Sequence, residues 1–227
     1  MKLAVVVPVL NEGPTLRLIL DRVLAVEEVS EVVVVDDGST DDTTEVIASY
    51  GDRIKSVRHE TNMGKGMAVR SGLAVVKSEV VVIQDGDLEY DPADFKKLFE
   101  KITSGADVVY GSRILGDNKF SYLRFYFGGR VLSVISNLLY GLSITDEPTC
   151  YKMAKMDVMR KLDLECTGFE FCPEMTAKIA RMKIPIAEVP ISYSPRSLDE
   201  GKKIGWWDGV IAVWTLAKFR FWKPKGD

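Results

Sequence analysis

Short apolar runs alternate along the first half of the chain with segments whose apolar residues recur at helical spacing. The runs Leu3–Val9 and Glu31–Val35 are rich in valine, which is typical of strands buried on both faces of a parallel sheet. Between them, Thr15–Val26 has the apolar spacing of an amphipathic helix. The pattern therefore predicts a strand, a helix and a second strand in that order.

The same alternation continues to about residue 110. It predicts further helices and strands as follows: helices from Ser39 or Thr40 to about Tyr50, over Gly66–Lys77 and over Pro92–Ser104, and strands over Arg53–His59, Glu79–Ile83 and Asp107–Tyr110. Regular alternation of this kind is the signature of an α/β fold. We expect a wound, mostly parallel sheet with helices on both faces.

The second half of the chain differs in composition. Phe120–Leu142 and Trp206–Trp222 combine large apolar residues with basic ones, and Ile184–Ser192 has the pattern of an extended segment. Helices of this composition either lie in the plane of an anionic membrane or pack on the sheet. Because no repeat or low-complexity linker divides the chain, we expect one domain over 1–227, with such helices within 120–143 and 204–223.

Polar residues follow four of the predicted strands, at the point where each strand ends. They are Asn11-Glu12, Asp36-Asp37, Asp85-Gly86-Asp87 and Gly111-Ser112-Arg113. In wound α/β sheets, ligands bind at the carboxyl ends of the strands. The sequence therefore predicts a single polar site at this edge of the sheet.

Asp85-Gly86-Asp87 is the sharpest local signal for chemistry. Its two carboxylates could face a common cation, and Glu89 adds a third carboxylate nearby. Oxygen ligands suit Mg²⁺ or Mn²⁺, which also bind substrate phosphates. The alternative is a solvated acidic turn, in which such close carboxylates would repel each other.

Neither of the two common glycine-rich phosphate-binding motifs is present in full. No GxGxxG follows the first strand, and the segment 62–66 (Asn-Met-Gly-Lys-Gly) lacks the GxxxxGK[ST] spacing, so it is either a phosphate loop or a turn before a helix. A bound nucleoside would then be held by side chains. Glu12 and Asp37 could accept hydrogen bonds from its base and ribose.

Composition narrows the class of protein. The chain has 227 residues, a net charge of -3 and no basic domain, which argues against binding to nucleic acid. Its three cysteines are interpreted as reduced thiols, and one histidine excludes a multi-histidine metal site. No signal peptide is visible, and the longest uncharged stretch, Val131–Thr145, is shorter than the ~20 residues of a spanning helix. We expect a cytoplasmic protein, peripheral at the cytoplasmic face of the membrane.

Four early motifs resemble those of the family-two inverting glycosyltransferases, which have the GT-A fold. They are the segments 8–12 (PVLNE), 35–41 (VDDGSTD), 85–89 (DGDLE) and 111–113 (GSR). Later segments are similar to the dolichyl-phosphate mannose and glucose synthase branch: 145–146 (TD), 149–152 (TCYK), 169–171 (FEF), 189–191 (VPI), Arg196 and 201–203 (GKK). The resemblance covers almost the whole chain.

The resemblance implies a role for each matching residue. It implies nucleotide-sugar binding by Pro8, Leu10, Glu12, Val35, Asp37, Asp85, Gly86, Asp87, Arg113, Arg196 and Lys202. It implies metal binding by Asp85, Asp87 and Glu89, and a catalytic role for Asp87, Arg113 and Arg196. The chain departs from many relatives at Leu10, where they have an aromatic residue, and at Glu89, where some have glutamine. The run Glu147-Pro148 also differs from the mannose synthases.

The implied reaction is the inverting transfer of a hexose from a nucleotide diphosphate sugar, of the GDP-mannose or UDP-glucose type, to a polyprenyl phosphate. A phosphate monoester is largely dianionic at neutral pH, so this acceptor needs cationic side chains rather than a general base. Arg124 and Arg130 are candidates to bind it, although both could be solvated helix charges.

Three alternatives stay open from the sequence. A sugar hydroxyl acceptor would need a base, for which Glu170 or Glu174 could serve. A sugar-phosphate nucleotidyltransferase would share the sheet and Mg²⁺ but should carry a glycine-rich signature near the first strand. A nucleotide-sugar sensor would bind the donor without turnover.

Overall fold

The computed structural model describes residues 1–118, 123–195 and 205–224, with only the backbone for 123–125. Its strands are β1 (Leu3–Val9), β2 (Val29–Asp36), β3 (Lys55–Arg58), β4 (Val80–Ile83), β5 (Val108–Ser112), β6 (Lys152–Lys155) and β7 (Ile186–Pro190). They form one sheet in the order β3-β2-β1-β4-β6-β5-β7. Strand β6 is antiparallel to both of its neighbours, and every other pair is parallel. The predicted α/β fold with a mostly parallel sheet is confirmed.

Eight α-helices surround this sheet within the described ranges. They are α1 (Gly13–Leu24), α2 (Thr43–Ala48), α3 (Lys65–Val75), α4 (Phe95–Thr103), α5 (Leu123–Tyr140), α6 (Met156–Leu162), α7 (Phe171–Arg181) and α8 (Trp206–Phe219). The sequence pattern placed the elements before residue 113 to within a few residues. It missed β6, α6 and α7.

The core has two layers, one on each face of the sheet. In β1, every residue is buried; Leu3, Val5, Val7 and Val9 face one layer, and Ala4 and Val6 face the other. The first layer is completed by α1, α2 and α4, and the second by α3, α6 and α7. Burial on both faces explains why the strand has a continuous apolar run instead of an alternating one.

Helices α5 and α8 pack against each other and against α7. Ala177 of α7 is buried with Leu216 and Phe219 of α8, and the Tyr140 hydroxyl of α5 donates a 2.6 Å hydrogen bond to the Leu216 carbonyl. The packing interpretation therefore holds for one face of each helix. No helix in the described part of the chain is both long and apolar enough to cross a bilayer.

The opposite faces of these two helices are exposed and apolar. On α5 the exposed residues recur at helical spacing: Phe127, Val131, Val134 and Leu138. On α8 they include all three of its tryptophans: Trp206, Trp207 and Trp214, with Val210, Ile211 and Val213. We name these residues together the apolar face. Ordinary protein surfaces expose large apolar side chains singly, whereas a cluster of them such as this one is typical of a binding surface.

Candidate active site

The carboxyl ends of β1, β2 and β4 border a cleft of about 310 Å³. Many of the residues predicted to bind a nucleotide sugar line it: Pro8, Leu10, Glu12, Asp37, Asp85, Gly86 and Asp87. Glu89, the third predicted metal ligand, also lines the cleft. The motifs are therefore brought together in space, although up to about 80 residues separate them along the chain.

Two described residues of the predicted nucleotide-sugar-binding set, Arg113 and Val35, do not line the cleft. Val35 is a core residue. It lies in β2, is fully buried, and packs in the core layer that contains Val6 and Ala68. It does not line the cleft. Its side chain supports the strand that carries Asp37.

The Asp37 carboxylate organises the loop that follows β3. It is buried and accepts hydrogen bonds from the backbone N–H groups of Met63 (2.9 Å) and Gly64 (2.8 Å). The ring Nδ1 of His59 lies 2.6 Å from the same carboxylate. Asp37 thus shapes the wall of the cleft as well as facing into it.

The Asp85 carboxylate is paired with Lys65, the first residue of α3, at a distance of 2.5 Å. The Lys65 ammonium also lies over the rings of Phe169 (5.5 Å) and Phe171 (6.0 Å). Burial lowers the pKa of Lys65, but the neighbouring Asp85 outweighs it, and the pKa is raised above its ordinary value. Lys65 therefore stays charged and neutralises Asp85.

Gly86 lies between the two aspartates, at a position that has no room for a side chain. A Cβ at this position would lie 2.7 Å from Cγ1 of Val9. The Gly86 carbonyl accepts a 2.9 Å hydrogen bond from the Thr15 hydroxyl, which also lies 3.2 Å from Oε2 of Glu12. These contacts tie the loop after β4 to the loop after β1.

Asp87 and Glu89 face different partners. Oδ1 of Asp87 accepts a 3.0 Å hydrogen bond from the Glu89 backbone N–H, and Oε2 of Glu89 accepts one of 3.1 Å from the Tyr193 hydroxyl. Among the residues described, no three carboxylate, histidine or cysteine side chains converge as a metal site. Asp85, Asp87 and Glu89 nevertheless line the same cleft, and their role as metal ligands remains a prediction.

Arg113, at the end of β5, is held by Asp146. Its Nε and Nη2 donate to the two oxygens of that carboxylate at 2.8 and 2.7 Å. Burial lowers the pKa of Arg113, but Asp146 more than compensates, so the guanidinium is permanently charged. It also lies over the Tyr193 ring at 5.1 Å, which connects it through Tyr193 to Glu89.

Of the other four basic residues predicted to bind phosphate, the structure describes the side chain of one, Arg130. Arg196 and Lys202 lie outside the described residues, and for Arg124 only the backbone is described. Arg130 of α5 donates a 3.0 Å hydrogen bond from Nη1 to the Thr145 carbonyl, beside Asp146. Helix α5 is thus anchored near the end of β5.

The two candidate bases for a hydroxyl acceptor have different surroundings. Glu174 is fully buried, lies 2.6 Å from the Lys178 ammonium, and accepts hydrogen bonds from the backbone N–H groups of Glu165 and Cys166. It is a structural residue and cannot reach an acceptor. Glu170 accepts from the Gly168 N–H at 3.0 Å, next to Phe169 in the cleft lining.

The sequence prediction missed one wall of the cleft. This wall contains Asn62, Gly64, Lys65, Ala68, Gly168 and Phe169. Gly64 has φ +95°, and a Cβ there would lie 2.5 Å from the Thr167 carbonyl. The segment 62–66, which the sequence predicts to be either a phosphate loop or a turn before a helix, docks on Thr167 and contributes Asn62, Gly64 and Lys65 to the cleft, so both interpretations remain predictions.

The fold and the cleft define a GT-A type nucleotide-sugar transferase, with its site at the carboxyl edge of a mostly parallel sheet. Residues 4–163 match the model of the family described as glycosyl transferase family 2. The chain belongs to this family and is a glycosyltransferase. The resemblance drawn from the sequence motifs is confirmed.

Curated relatives extend the similarity beyond the matched domain. The undecaprenyl-phosphate mannosyltransferase of Micrococcus luteus is 30% identical over 96% of this chain and 95% of its own length. The hexosyltransferase Agl6 of Haloferax volcanii, named for low-salt glycan biosynthesis, is 31% identical over 86% of this chain. The dolichol-phosphate mannosyltransferase of Pyrococcus furiosus is 29% identical over 90% of it. The matched regions span 48% of Agl6 and 60% of the Pyrococcus protein.

Solved structures share the fold. Glucosyl-3-phosphoglycerate synthase from Mycobacterium tuberculosis, in complex with Mn²⁺, UDP-glucose and glycerol 3-phosphate, superposes with a TM-score of 0.73. The match covers 99% of this chain and 82% of that one, at 22% identity. The GT-A fold expected from the sequence is therefore confirmed.

Proposed function

We propose that this protein transfers a hexose from a nucleotide diphosphate sugar to a polyprenyl phosphate, with inversion at the anomeric carbon. The observation that carries the proposal is the cleft in which Glu12 and Asp37 face Asp85 and Asp87 across the ends of β1, β2 and β4. Relatives named as undecaprenyl- and dolichol-phosphate mannosyltransferases support the acceptor class. The hydroxyl-acceptor alternative is weakened by the burial of Glu174.

The donor set of the cleft fits Mg²⁺ or Mn²⁺. These ions are bound by one or two protein carboxylates together with waters and substrate phosphates, so Asp85 and Asp87 suffice without a third ligand. The Lys65 ammonium is paired with Asp85, so a metal ion bound at this carboxylate would have to compete with it. When bound, the metal would neutralise the diphosphate and stabilise the leaving nucleotide.

The protein's own residues would divide the remaining work. Glu12 and Asp37 would hold the nucleoside through hydrogen bonds. Arg113 would contribute fixed positive charge near the phosphates, because Asp146 orients its guanidinium and occupies only two of its five N–H donors. Arg124, Arg130, Arg196 and Lys202 remain our candidates for binding the acceptor and donor phosphates. A dianionic acceptor oxygen would then attack without a general base.

One assay tests this function against its rivals. Purified protein is given a panel of nucleotide sugars with Mg²⁺ or Mn²⁺, with and without polyprenyl phosphate, and nucleotide release and the lipid product are measured. We expect release that depends on the lipid phosphate and a product of inverted anomeric configuration. Transfer to a soluble sugar hydroxyl alone would replace this proposal with the alternative acceptor, and binding without turnover would indicate a sensor.

Lys65 should govern how the cleft binds metal in the absence of nucleotide. Replacing Lys65 with Met leaves Asp85 without its cation, so we expect the variant to bind Mn²⁺ several-fold more tightly when no nucleotide is present. Isothermal titration with MnCl₂ measures this directly. Lys97→Met, which removes an exposed lysine from Asp94 outside the cleft, is the matched control. Unchanged Mn²⁺ affinity in Lys65→Met would mean that Asp85 takes no part in metal binding.

We also propose that the apolar face lies on the cytoplasmic surface of the membrane. A polyprenyl phosphate has its head group at the site and its tail in lipid, so an apolar surface should adjoin the cleft. The proposal is supported by Arg130, which anchors α5 at the Thr145 carbonyl, beside the Asp146 carboxylate that holds Arg113. Basic residues near the end of α8 would add attraction to anionic lipid.

Vesicle binding should depend on the tryptophans of α8. Each inserted tryptophan contributes about 1.5–3 kcal/mol of apolar burial, so Trp207→Ala with Trp214→Ala should weaken binding on the order of 100-fold or more. Co-sedimentation with anionic vesicles, at low and high salt, measures the effect. Leu18→Ala with Val75→Ala removes exposed apolar side chains from α1 and α3 and should leave binding unchanged. Equal loss in both double variants would argue against the apolar face as the membrane contact.

A further inference from the structure

His59, the one histidine of the chain, connects the cleft to helix α3. Its Nδ1 lies 2.6 Å from Oδ1 of Asp37, and its Nε2 lies 2.9 Å from the hydroxyl of Ser71 in α3. The His59 side chain is only 9% exposed, and that of Asp37 is 4% exposed. Asp37 and His59 are therefore held inside the protein, directly behind the cleft wall.

The chemistry of these groups fixes the direction of the hydrogen bond between His59 and Asp37. An ionised carboxylate can only accept hydrogen bonds. Nδ1 of His59 therefore carries a proton and donates a hydrogen bond to Asp37. Nε2 and the Ser71 hydroxyl form the second hydrogen bond of the ring, and this bond holds the ring in place whichever of the two atoms donates.

Counting acceptor positions shows what Asp37 has left for a ligand. Each carboxylate oxygen has about two lone-pair positions. Oδ1 is filled by His59 and the Met63 N–H, whereas Oδ2 accepts from the Gly64 N–H alone within the described residues. Asp37 lines the cleft, so its remaining position is suited to one donor group of a ligand, such as a ribose hydroxyl or a base N–H.

The order Asp37–His59–Ser71 resembles a nucleophilic triad, but its placement argues against that chemistry. Ser71 lies within α3 and does not line the cleft, although Ala68, one turn earlier, does. A serine nucleophile must reach its substrate and be met there by oxyanion donors. The arrangement is therefore one that holds a carboxylate in place.

We propose that His59 is a positioning residue that fixes the rotation of the Asp37 carboxylate, so that Oδ2 presents its remaining acceptor position to the donor nucleoside. This inference rests on the proposed donor site. The two loop N–H groups each donate to one oxygen of the carboxylate, and the His59 ring, just after β3, adds a third contact at Oδ1. Without it, Asp37 would bind the nucleoside in only a fraction of its orientations.

The variants that test this differ in where they place a donor. Asn at position 59 keeps an N–H near the place of Nδ1, Gln extends it towards the place of Nε2, and Ala removes both. Titration calorimetry with UDP and GDP in the presence of Mn²⁺ should show affinity lowered about 10-fold by His59→Ala and His59→Gln, and near that of the original protein for His59→Asn. At saturating donor, kcat should change little in all three.

A double-variant cycle separates positioning from general structural damage. If His59 acts through Asp37, then His59→Ala should cause no further loss of nucleotide affinity in a protein that already carries Asp37→Asn. Additive losses, or unchanged affinity in His59→Ala alone, overturn the inference while leaving the proposed function intact. If the original protein binds no nucleotide at all, the proposed function fails, and the inference fails with it.

Discussion

Replacing Asp87 with Asn should lower kcat by about 100- to 1,000-fold at saturating metal and donor. The neutral amide cannot supply the negative charge that a bridging Mg²⁺ or Mn²⁺ requires, and loss of one charge-stabilising group in a preorganised site has effects of this order. The substitution should leave the fold intact. Asn keeps the Oδ1 that accepts a hydrogen bond from the Glu89 N–H.

Nucleotide release in the donor assay measures this loss, and thermal unfolding confirms that the variant is folded. Asp91→Asn is the matched control, since Asp91 lies on the same connection and its side chain only accepts a hydrogen bond from the Ala93 N–H. It should retain nearly full turnover. If Asp87→Asn also turns over normally, the metal-binding role of this residue is wrong, and Asp85 would become the principal candidate.

The largest expected effect on stability comes from Lys152 in β6. Its ammonium is fully buried, 3.1 Å from Oε1 of Glu147, and it also donates to the Cys172 carbonyl and the Thr176 hydroxyl. Lys152→Met leaves the Glu147 carboxylate as an uncompensated buried charge. We expect the free energy of unfolding to fall by about 3–5 kcal/mol.

The pH dependence of this contribution has a definite sign. Burial lowers the pKa of Lys152, but Glu147 outweighs it, so the folded-state pKa lies above the ordinary value of 10.5. A raised lysine pKa contributes stability that is fully present below the unfolded-state value and is lost as the pH rises through the folded-state value. The contribution of the Lys152 charge to the free energy of unfolding should therefore be constant near neutrality and be lost only in strong base.

Urea denaturation near pH 7 measures the change, and two further variants interpret it. Lys155→Met, on the same strand, removes a partly exposed pair with Asp107 and should lower the free energy of unfolding far less than Lys152→Met does. Combining Lys152→Met with Glu147→Gln should recover much of the loss, because no buried charge then remains. Equal losses in Lys152→Met and Lys155→Met would show that the buried pair stabilises the fold no more than the partly exposed pair does.

The first half of the fold could be predicted because its signal is local. Valine runs buried on both faces, each followed by a helix, identify β1, β2 and β4 without knowledge of their neighbours. The same reasoning missed β6, whose sequence Lys-Met-Ala-Lys does not look like a buried strand. Lys152 can lie in the core only because Glu147 and Thr176 reach it from other parts of the chain.

The candidate site shows the same division. The acidic motifs at strand ends could be predicted to meet because parallel strands end at one edge. The partners of the charged groups could not be predicted from the sequence. They join residues 20 to 33 positions apart: Asp85 with Lys65, Asp37 with His59 and Arg113 with Asp146. His59, to which the sequence pattern assigned no role in the site, supports the site for this reason.

The sequence by itself determined the fold class, the edge of the sheet that carries the site, and the glycosyltransferase family, because each is written in short motifs and in local periodicity. Only the tertiary structure decided which charges neutralise each other, that Glu174 is structural, and that α5 and α8 each have one packed and one exposed face. These outcomes depend on distances between segments remote in sequence. Such distances are set by the packing of the whole chain, and no local pattern contains them.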